Sequence, residues 1–346
     1  MTALLEARHV SKVFGGGFWQ QGNGLVALND LSLTIDEAPP TITAIVGESG
    51  SGKTTLVRLI LGLTEPTSGE VCDRGVDLRR LNQEQRRQFL RDVQVIFQDP
   101  YEVYNPFYRV DHVLHEPVTN FHLAKSKAQG RTLIEEALTS VGLRPEETLG
   151  RYPHQLSGGQ RQRVMVARSL LLRPRVIVAD EPVSMIDASL RATVIESLRN
   201  LNRRFGISLI YITHDLTTAY QMSENIVVLY RGTVAEVGDV ERVVKEPEHP
   251  YTRLLIGSIP RPDPKHPWGV KENSTDANQK GAGRLGCQFA DRCPHVMAIC
   301  REKAPPLYQT APHRATACYL YSDAPVATSK KISEIFVPPA PVAAGG

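Results

Sequence analysis

The chain has 346 residues, 41% of them hydrophobic and 22% charged, with a net charge of +3. That composition suits a soluble globular chain with one large domain and a smaller one, or with two domains. The charge alone is too small to imply nucleic acid, no stretch approaches the ~18–20 apolar residues of a membrane span, and Glu6 and Arg8 interrupt what a signal peptide needs as an apolar core. The expected location is the cytoplasm, with any membrane contact peripheral and thiols kept reduced.

From residue 25 to about 240, short β-rich runs alternate with helical patterns. Residues 41–47 (TITAIVG), 93–98 (VQVIFQ), 175–180 (RVIVAD), 207–213 (ISLIYIT) and 224–230 (ENIVVLY) predict strands. They are nearly continuous apolar runs, as strands covered on both faces require. Residues 53–63, 126–143, 158–172 and 188–205 predict helices. The alternation predicts an α/β domain around a mainly parallel sheet, interrupted by a largely helical block over 110–143. Past residue 259 the chain becomes rich in Pro, Gly and polar residues, a linker composition. A cysteine-containing module over roughly 285–322 follows. The last stretch has no core pattern and predicts a mobile tail.

GESGSGKTT, residues 47–55, follows a predicted strand and opens a predicted helix, the setting a phosphate-binding loop needs. Gly47, Gly50 and Gly52 let the backbone curl so that successive N–H groups face phosphate oxygens. Lys53 reaches the β- and γ-phosphates, the Thr54 hydroxyl ligates Mg²⁺, and the helix N-terminus adds its dipole. In LSGGQ (156–160), Ser157 suits an N-cap, and Gly158 and Gly159 bare amides at the positive end of the next helix. This is a second anion site, which makes sense if it is offered to a nucleotide held by another chain. In VIVADEP (176–182) a buried strand ends in Asp180, able to hold Mg²⁺ through its water shell. Glu181 follows, placed to polarise the attacking water. Without the phosphate loop, two acids after a strand would read as an ordinary surface loop.

These motifs, with FQDP carrying Gln98, SMID carrying Asp187 and YITHD carrying His214, occur in the order and spacing of the ATP-binding cassette (ABC) ATPases. The chain resembles that family over roughly residues 4–257. The resemblance implies an α/β P-loop NTPase fold of ABC type, with a RecA-like core, an antiparallel β subdomain and a helical subdomain over about 100–172. It implies ATP on Gly47, Glu48, Ser49, Gly50, Ser51, Gly52, Lys53, Thr54 and Thr55, with Thr54, Gln98 and Asp180 around Mg²⁺. Glu181 is then the general base, and His214 holds the γ-phosphate. In the head-to-tail dimer of the family, Ser157, Gly158, Gly159, Gln160 and Asp187 serve the ATP of the partner cassette. Phe14 resembles the aromatic that stacks on adenine, a position that more often carries Tyr, and would equally suit a core. SMID departs from the usual SALD but keeps Asp187.

Four of the five cysteines, Cys287, Cys293, Cys300 and Cys318, are spaced C-x5-C-x6-C-x17-C. Four thiolates at one point suit a [4Fe–4S] cluster or an all-cysteine zinc site. The absence of a tight C-x2–4-C knuckle, and Pro294 after Cys293, favour iron–sulfur over zinc. With HPYTRLLIGSIP (249–260) and APPLYQTAPHRATACYL (304–320), this segment resembles the C-terminal extension of the oligopeptide and dipeptide importers. Several nickel and oligosaccharide importers share that extension, and members of the subgroup carry such a cluster in it. The implied role is a structural staple for a Pro-rich segment with little core, with unliganded thiols and a redox role left open. His295 and His313 are alternative ligands, and Cys72 reads as an ordinary small residue.

The predicted domains are a nucleotide-binding domain over 1–258, the extension over 259–323 and the tail over 324–346. The resemblance implies the ATP-hydrolysing subunit of an importer of peptides or a similar solute, peripheral on the cytoplasmic side of the inner membrane. Its partners would be a second cassette, as a related chain or a second copy, two transmembrane permease subunits and, indirectly, an extracytoplasmic solute-binding protein. Oligosaccharide or nickel import, or a soluble non-transport ABC ATPase, is the alternative. No nucleic-acid partner is expected: the arginine pairs at 79–80, 86–87 and 203–204 read as solvated faces. Tyr101, Tyr104 and Phe107 read either as the lining of a groove for a partner helix or as packing under the helical subdomain.

Overall fold

The computed structural model describes residues 3–15, 24–99, 104–259, 285–327 and 334–337. Tyr101, nearly all of the predicted linker and most of the predicted tail lie outside the described residues. In chain order the elements begin with β1 (Ala3–Phe14), β2 (Leu25–Asp36), β3 (Ile42–Val46), α1 (Lys53–Ile60), β4 (Ser68–Asp73), β5 (Val76–Asp77), α2 (Gln83–Asp92) and β6 (Val93–Ile96). Next come α3 (Val110–Asn120), α4 (Lys127–Ser140), α5 (Pro145–Thr148), α6 (Gly158–Leu170), β7 (Val176–Asp180), α7 (Ala188–Phe205) and β8 (Ser208–Thr213). The rest are α8 (Leu216–Met222), β9 (Asn225–Tyr230), β10 (Thr233–Asp239), α9 (Val240–Lys245), α10 (Pro250–Gly257), α11 (Ala298–Glu302), β11 (Tyr308–Ala311) and β12 (Arg314–Thr316).

The described residues fall into two compact units. The first draws on Met1–Ala38, Thr43–Arg80 and Thr213–Pro339, the second on Pro39–Ile42 and Leu81–Ile212. In the first, β2-β1-β4-β5 form an antiparallel sheet. A second row runs β11-β12-β10-β9-β3, in which β9 and β3 are parallel and the other pairs antiparallel. Every residue of β3 and of β9 is buried, which explains their unbroken apolar runs.

In the second unit β6, β7 and β8 are parallel neighbours. Its helices start where the sequence supplies side-chain caps. Asn82 and Gln85 form a capping box for α2, and the Ser126 hydroxyl accepts from Gln129 N in α4. Helix α7 stops at Gly206, in the left-handed conformation at φ +67°. Helix α6 buries Val164, Met165, Val166 and Ala167 and packs against α3, α4 and α7. The helical block thus forms around α6.

The described part of the extension folds within the first unit. Strand β12 pairs with β10, and Phe289 sits in one apolar cluster with Tyr230, Tyr251 and Val228. Part of the region expected as a mobile tail is held through hydrogen bonds of its main chain, which need no apolar pattern. Gln309 N donates to Pro325 O (2.8 Å), Ala327 N donates to Leu307 O (2.8 Å), and the Asn225 side chain pairs with the Val337 N–H (2.7 Å) and carbonyl (3.1 Å).

One buried ion pair joins extension to core. The Glu236 side chain on β10 and that of Arg314 on β12 are 0% and 5% exposed. Glu236 accepts from Arg314 Nη2 (2.7 Å) and Nε (3.2 Å), and from the amides of His249 (2.9 Å) and Glu248 (3.2 Å). Glu248 in turn accepts from the Thr310 and Thr316 hydroxyls at 2.7 and 2.6 Å. Arg314→Ala leaves a desolvated carboxylate without its cation and is expected to lower stability by about 3–5 kcal/mol. A shift of the urea midpoint reads this out. A variant indistinguishable from wild type would show that the pair is not desolvated in solution.

Candidate functional site

After Val46 the chain curls through residues 47–52 into α1. A Cβ on Gly47 would meet the Leu229 carbonyl oxygen at 2.3 Å, and one on Gly52, at φ +104°, the Ala27 carbonyl oxygen at 2.5 Å. Backbone on the far side of each contact cannot yield, so glycine is required at both. The buried Lys53 folds its Nζ onto Gly47 O (2.7 Å) and Glu48 O (3.0 Å), which holds its charge inside the curl. Gly52 caps α1 without a side chain and no acid stands in the first turn. The helix dipole favours an anion at this end. Thr54 is exposed in that turn.

The loop is also held from outside. Glu48 N donates to the Tyr251 hydroxyl at 2.9 Å, and the Glu48 carboxylate takes both Nη atoms of Arg292 at 3.0 and 3.2 Å. Burial pushes the Tyr251 hydroxyl pKa well above its ordinary value, which keeps it a neutral acceptor. Phe14 closes β1 and is 40% exposed, with the Lys12 ammonium 5.2 Å from its ring centroid. It is therefore not a core residue. His214 follows β8 and is exposed, directly before Asp215, whose carboxylate caps α8 by accepting from Thr217 N (2.8 Å).

In the second unit β7 ends at Asp180, and Glu181 then turns off the strand at φ +44°, left-handed for a non-glycine residue. Its amide donates to Ile212 O (2.9 Å), and its carbonyl accepts from the Ser184 hydroxyl (2.9 Å) and amide (3.2 Å). Such backbone persists only where neighbours over-determine it, and it is concentrated at functional sites. Gln98 is exposed beyond β6, and the preceding Phe97 carbonyl accepts from Gln162 Nε2 of α6 at 3.3 Å.

Ser157 caps α6 in a capping box: its hydroxyl accepts from Gln160 N (3.2 Å), and Gln160 Oε1 accepts from Ser157 N (2.9 Å). The Gly158 and Gly159 amides, first in the helix, take no part in the box. A Cβ on Gly158 would stand 3.9 Å from Met185 O, and one on Gly159 would stand 3.2 Å from the Leu190 side chain. The first turn of α6 therefore lies beside the turn that ends at the exposed Asp187, N-cap of α7.

The four late cysteines line one pocket, together with His249, His295 and Tyr319. Burial pushes the Cys287 and Cys293 thiols up, and that of Cys318 up to about 11. The His295 N–H donates to Cys293 Sγ at 3.4 Å, and the N–H groups of Phe289 and Leu320 act on Cys287 and Cys318 in the same sense, against burial, by favouring thiolate. Among the described residues, however, no group of three or more His, Cys, Asp or Glu is arranged to hold a metal ion. The sulfurs converge without a preformed ligand geometry. His313, expected as an alternative ligand, turns its Nδ1 to the Ile335 and Phe336 carbonyls at 3.2 and 3.0 Å. Cys72 is fully buried in the antiparallel sheet.

Of the aromatic residues after Gln98, Tyr104 is buried and donates to Arg161 O at 2.9 Å, which is packing, whereas Phe107 is 86% exposed. Sequence reasoning gave no role to Tyr251 or Arg292. Tyr251 lies in the quoted HPYTRLL segment, but its partner, Glu48, is 203 residues away.

Residues 28–184 match the ABC transporter family, and residues 235–300 match the C-terminal region of oligopeptide/dipeptide transporters. The chain is 40% identical over 286 residues to YkfD of Bacillus subtilis (strain 168), named for oligopeptide transport ATP binding, covering 81% of this chain and 85% of that one. It is 36% identical to the di/tripeptide transport ATP-binding protein DppF of Pseudomonas aeruginosa (strain UCBPP-PA14), covering 92% and 98%. A dimeric ATP-binding cassette solved in a post-hydrolysis state with ADP and phosphate superposes with a TM-score of 0.58 at 27% identity, covering 68% of this chain and 98% of that one. Relatedness at this identity and coverage, over a fold with this phosphate loop and this serine-capped helix, identifies the chain as a member of the ABC ATPases, in the oligopeptide/dipeptide transporter group.

Proposed function

We propose that this ATPase powers the uptake of peptides by closing on a second cassette around shared ATP. The observation that carries the reading is the pair of bared helix N-termini, one after the phosphate loop and one after Ser157. Each suits a phosphate group, and a sandwich of two chains uses both. Lys53 and main-chain amides of the 47–55 loop grip the β- and γ-phosphates. Thr54, Gln98 and Asp180 surround Mg²⁺, and Phe14 stacks on adenine. Glu181 accepts the proton of the attacking water while His214 holds the γ-phosphate. Ser157, Gly158, Gly159, Gln160 and Asp187 act on the ATP of the partner cassette. Hydrolysis removes the phosphate both chains hold, and closure loses its bridge.

Peptide as the solute is supported by the names of the relatives and by the matched C-terminal region. No helix among the described residues is long and apolar enough to cross a membrane. Two permease subunits therefore supply the path, with an extracytoplasmic binding protein delivering the solute, and the chain sits peripherally on the inner face.

Cys287, Cys293, Cys300 and Cys318 hold an iron–sulfur cluster in this reading. The shared pocket and the His295 N–H donated to Cys293 Sγ support it, and the cluster would cross-link a segment with little core of its own.

In the assembled complex, Glu181→Gln is expected to lower ATP turnover at least ~100-fold while ATP still binds; equal turnover of variant and wild type would refute the assigned base. Anaerobically purified protein should be brown and lose its visible absorbance in Cys287→Ser. Stoichiometric zinc in colourless protein would replace the cluster with a zinc site.

A further inference from the structure

The turn that carries Cys287 and Cys293 reaches the phosphate loop directly. Ala290 N donates to Cys287 O (3.1 Å) and Arg292 N to Phe289 O (3.0 Å), so the turn is a closed backbone unit. Phe289 at its apex is 2% exposed and meets Tyr230 edge-on at 5.2 Å and Tyr251 at 5.6 Å. Arg292, the residue before Cys293, lays its guanidinium 5.6 Å from the Phe289 centroid and 5.9 Å from that of Tyr230. From there it grips Glu48 with both Nη atoms. Tyr251, packed on the same Phe289, accepts from Glu48 N. The Glu48 carbonyl accepts from Lys53 Nζ (3.0 Å) and from Ser51 N (3.1 Å). A line of direct contacts therefore runs from the cysteine turn through Glu48 to the lysine of the loop.

The loop needs such a hold. Its glycines give it high conformational freedom, and the backbone that will face phosphate must be set before phosphate arrives. Glu48 is the loop side chain nearest the strand, and its negative charge, left alone, opposes a triphosphate. The Arg292 fork fixes its direction and neutralises it at once. With Glu48 and Arg292 side chains 41% and 30% exposed, a bare ion pair would contribute little; the two aromatic rings under the guanidinium are what keep it in place.

We propose that Arg292 is a positioning residue for the phosphate loop, and that through Glu48 it makes nucleotide affinity depend on the integrity of the cysteine turn. The proposal rests on reading residues 47–55 as the ATP site. It is tested by equilibrium binding of a fluorescent ATP analogue with Mg²⁺ to the full chain, alongside hydrogen exchange of the 48–52 amides without nucleotide. Arg292→Ala is expected to weaken binding about fivefold, the factor equivalent to ~1 kcal/mol, and to speed exchange in the loop. Arg292→Lys, which keeps the charge but not the fork and preserves the fold if alanine does not, should fall between. Cys287→Ser should speed exchange in the same amides, a readout independent of turnover. In a Glu48→Ala background Arg292→Ala should cost nothing further. Wild-type affinity and exchange in Arg292→Ala and Arg292→Lys, or a full loss on top of Glu48→Ala, would overturn the proposal alone. A wild-type chain that binds no nucleotide would overturn the loop reading along with it.

Discussion

The constraint on which the proposed function rests is backbone held open for phosphate. An amide that faces an anion cannot also be capped by a side chain or buried in a ladder, so the loop before α1 is glycine and serine apart from Glu48, whose carboxylate is turned to Arg292. The surroundings enforce it. The Leu229 and Ala27 carbonyls approach within 2.3 and 2.5 Å of where a side chain on Gly47 or Gly52 would begin. The same rule recurs at α6, where the capping box of Ser157 and Gln160 satisfies the amides that would otherwise be orphaned and leaves those of Gly158 and Gly159 for a ligand. The two sites differ in charge as well as sequence. The first carries Lys53 inside it, and the first turn of α6 carries no lysine, which in the proposed reading suits a surface that closes on a phosphate already neutralised elsewhere.

The extension is built into the first unit, against the loop that follows β3. Strand β12 continues the row of β10 and β9, and the buried Arg314–Glu236 pair fixes that junction. A buried pair of this kind is weak evidence for stability on its own, because desolvation offsets most of the attraction. What it supplies is selectivity of register: Arg314 fits opposite a carboxylate that already takes two main-chain amides, and a slipped strand would leave both charges buried and unmatched. Phe289 and Arg292 then bring the cysteine turn against the aromatic residues beneath the phosphate loop.

The strands that carry the site were readable because they are covered on both faces: residues 42–46, 176–180, 208–213 and 225–230 are almost wholly buried and almost wholly apolar. The motifs were readable because each lies within a few positions of a strand or helix end. Other features left no local trace. The run TVAEVGD hides β10 because Glu236 sits in the middle of it, polar by composition yet 0% exposed, its partner 78 residues away. β1 and β2 are bulged, with repeated register shifts that blur the two-residue alternation. The pairing of Glu48 with Arg292 spans 244 residues, and that of Asn225 with Val337 spans 112, through a polar side chain and main chain that no periodicity marks. The left-handed Glu181 has no signature in its residue type.

The most direct test of a nucleotide gripped from two sides is the structure of an ATP-loaded complex of this chain with its second cassette, trapped by Glu181→Gln. The account predicts the triphosphate on Lys53 of one chain, with a Ser157 hydroxyl and Gly159 amide from the other within hydrogen-bond distance of its γ-phosphate. A loaded complex in which Ser157 and Gly159 stand away from every phosphate would contradict it.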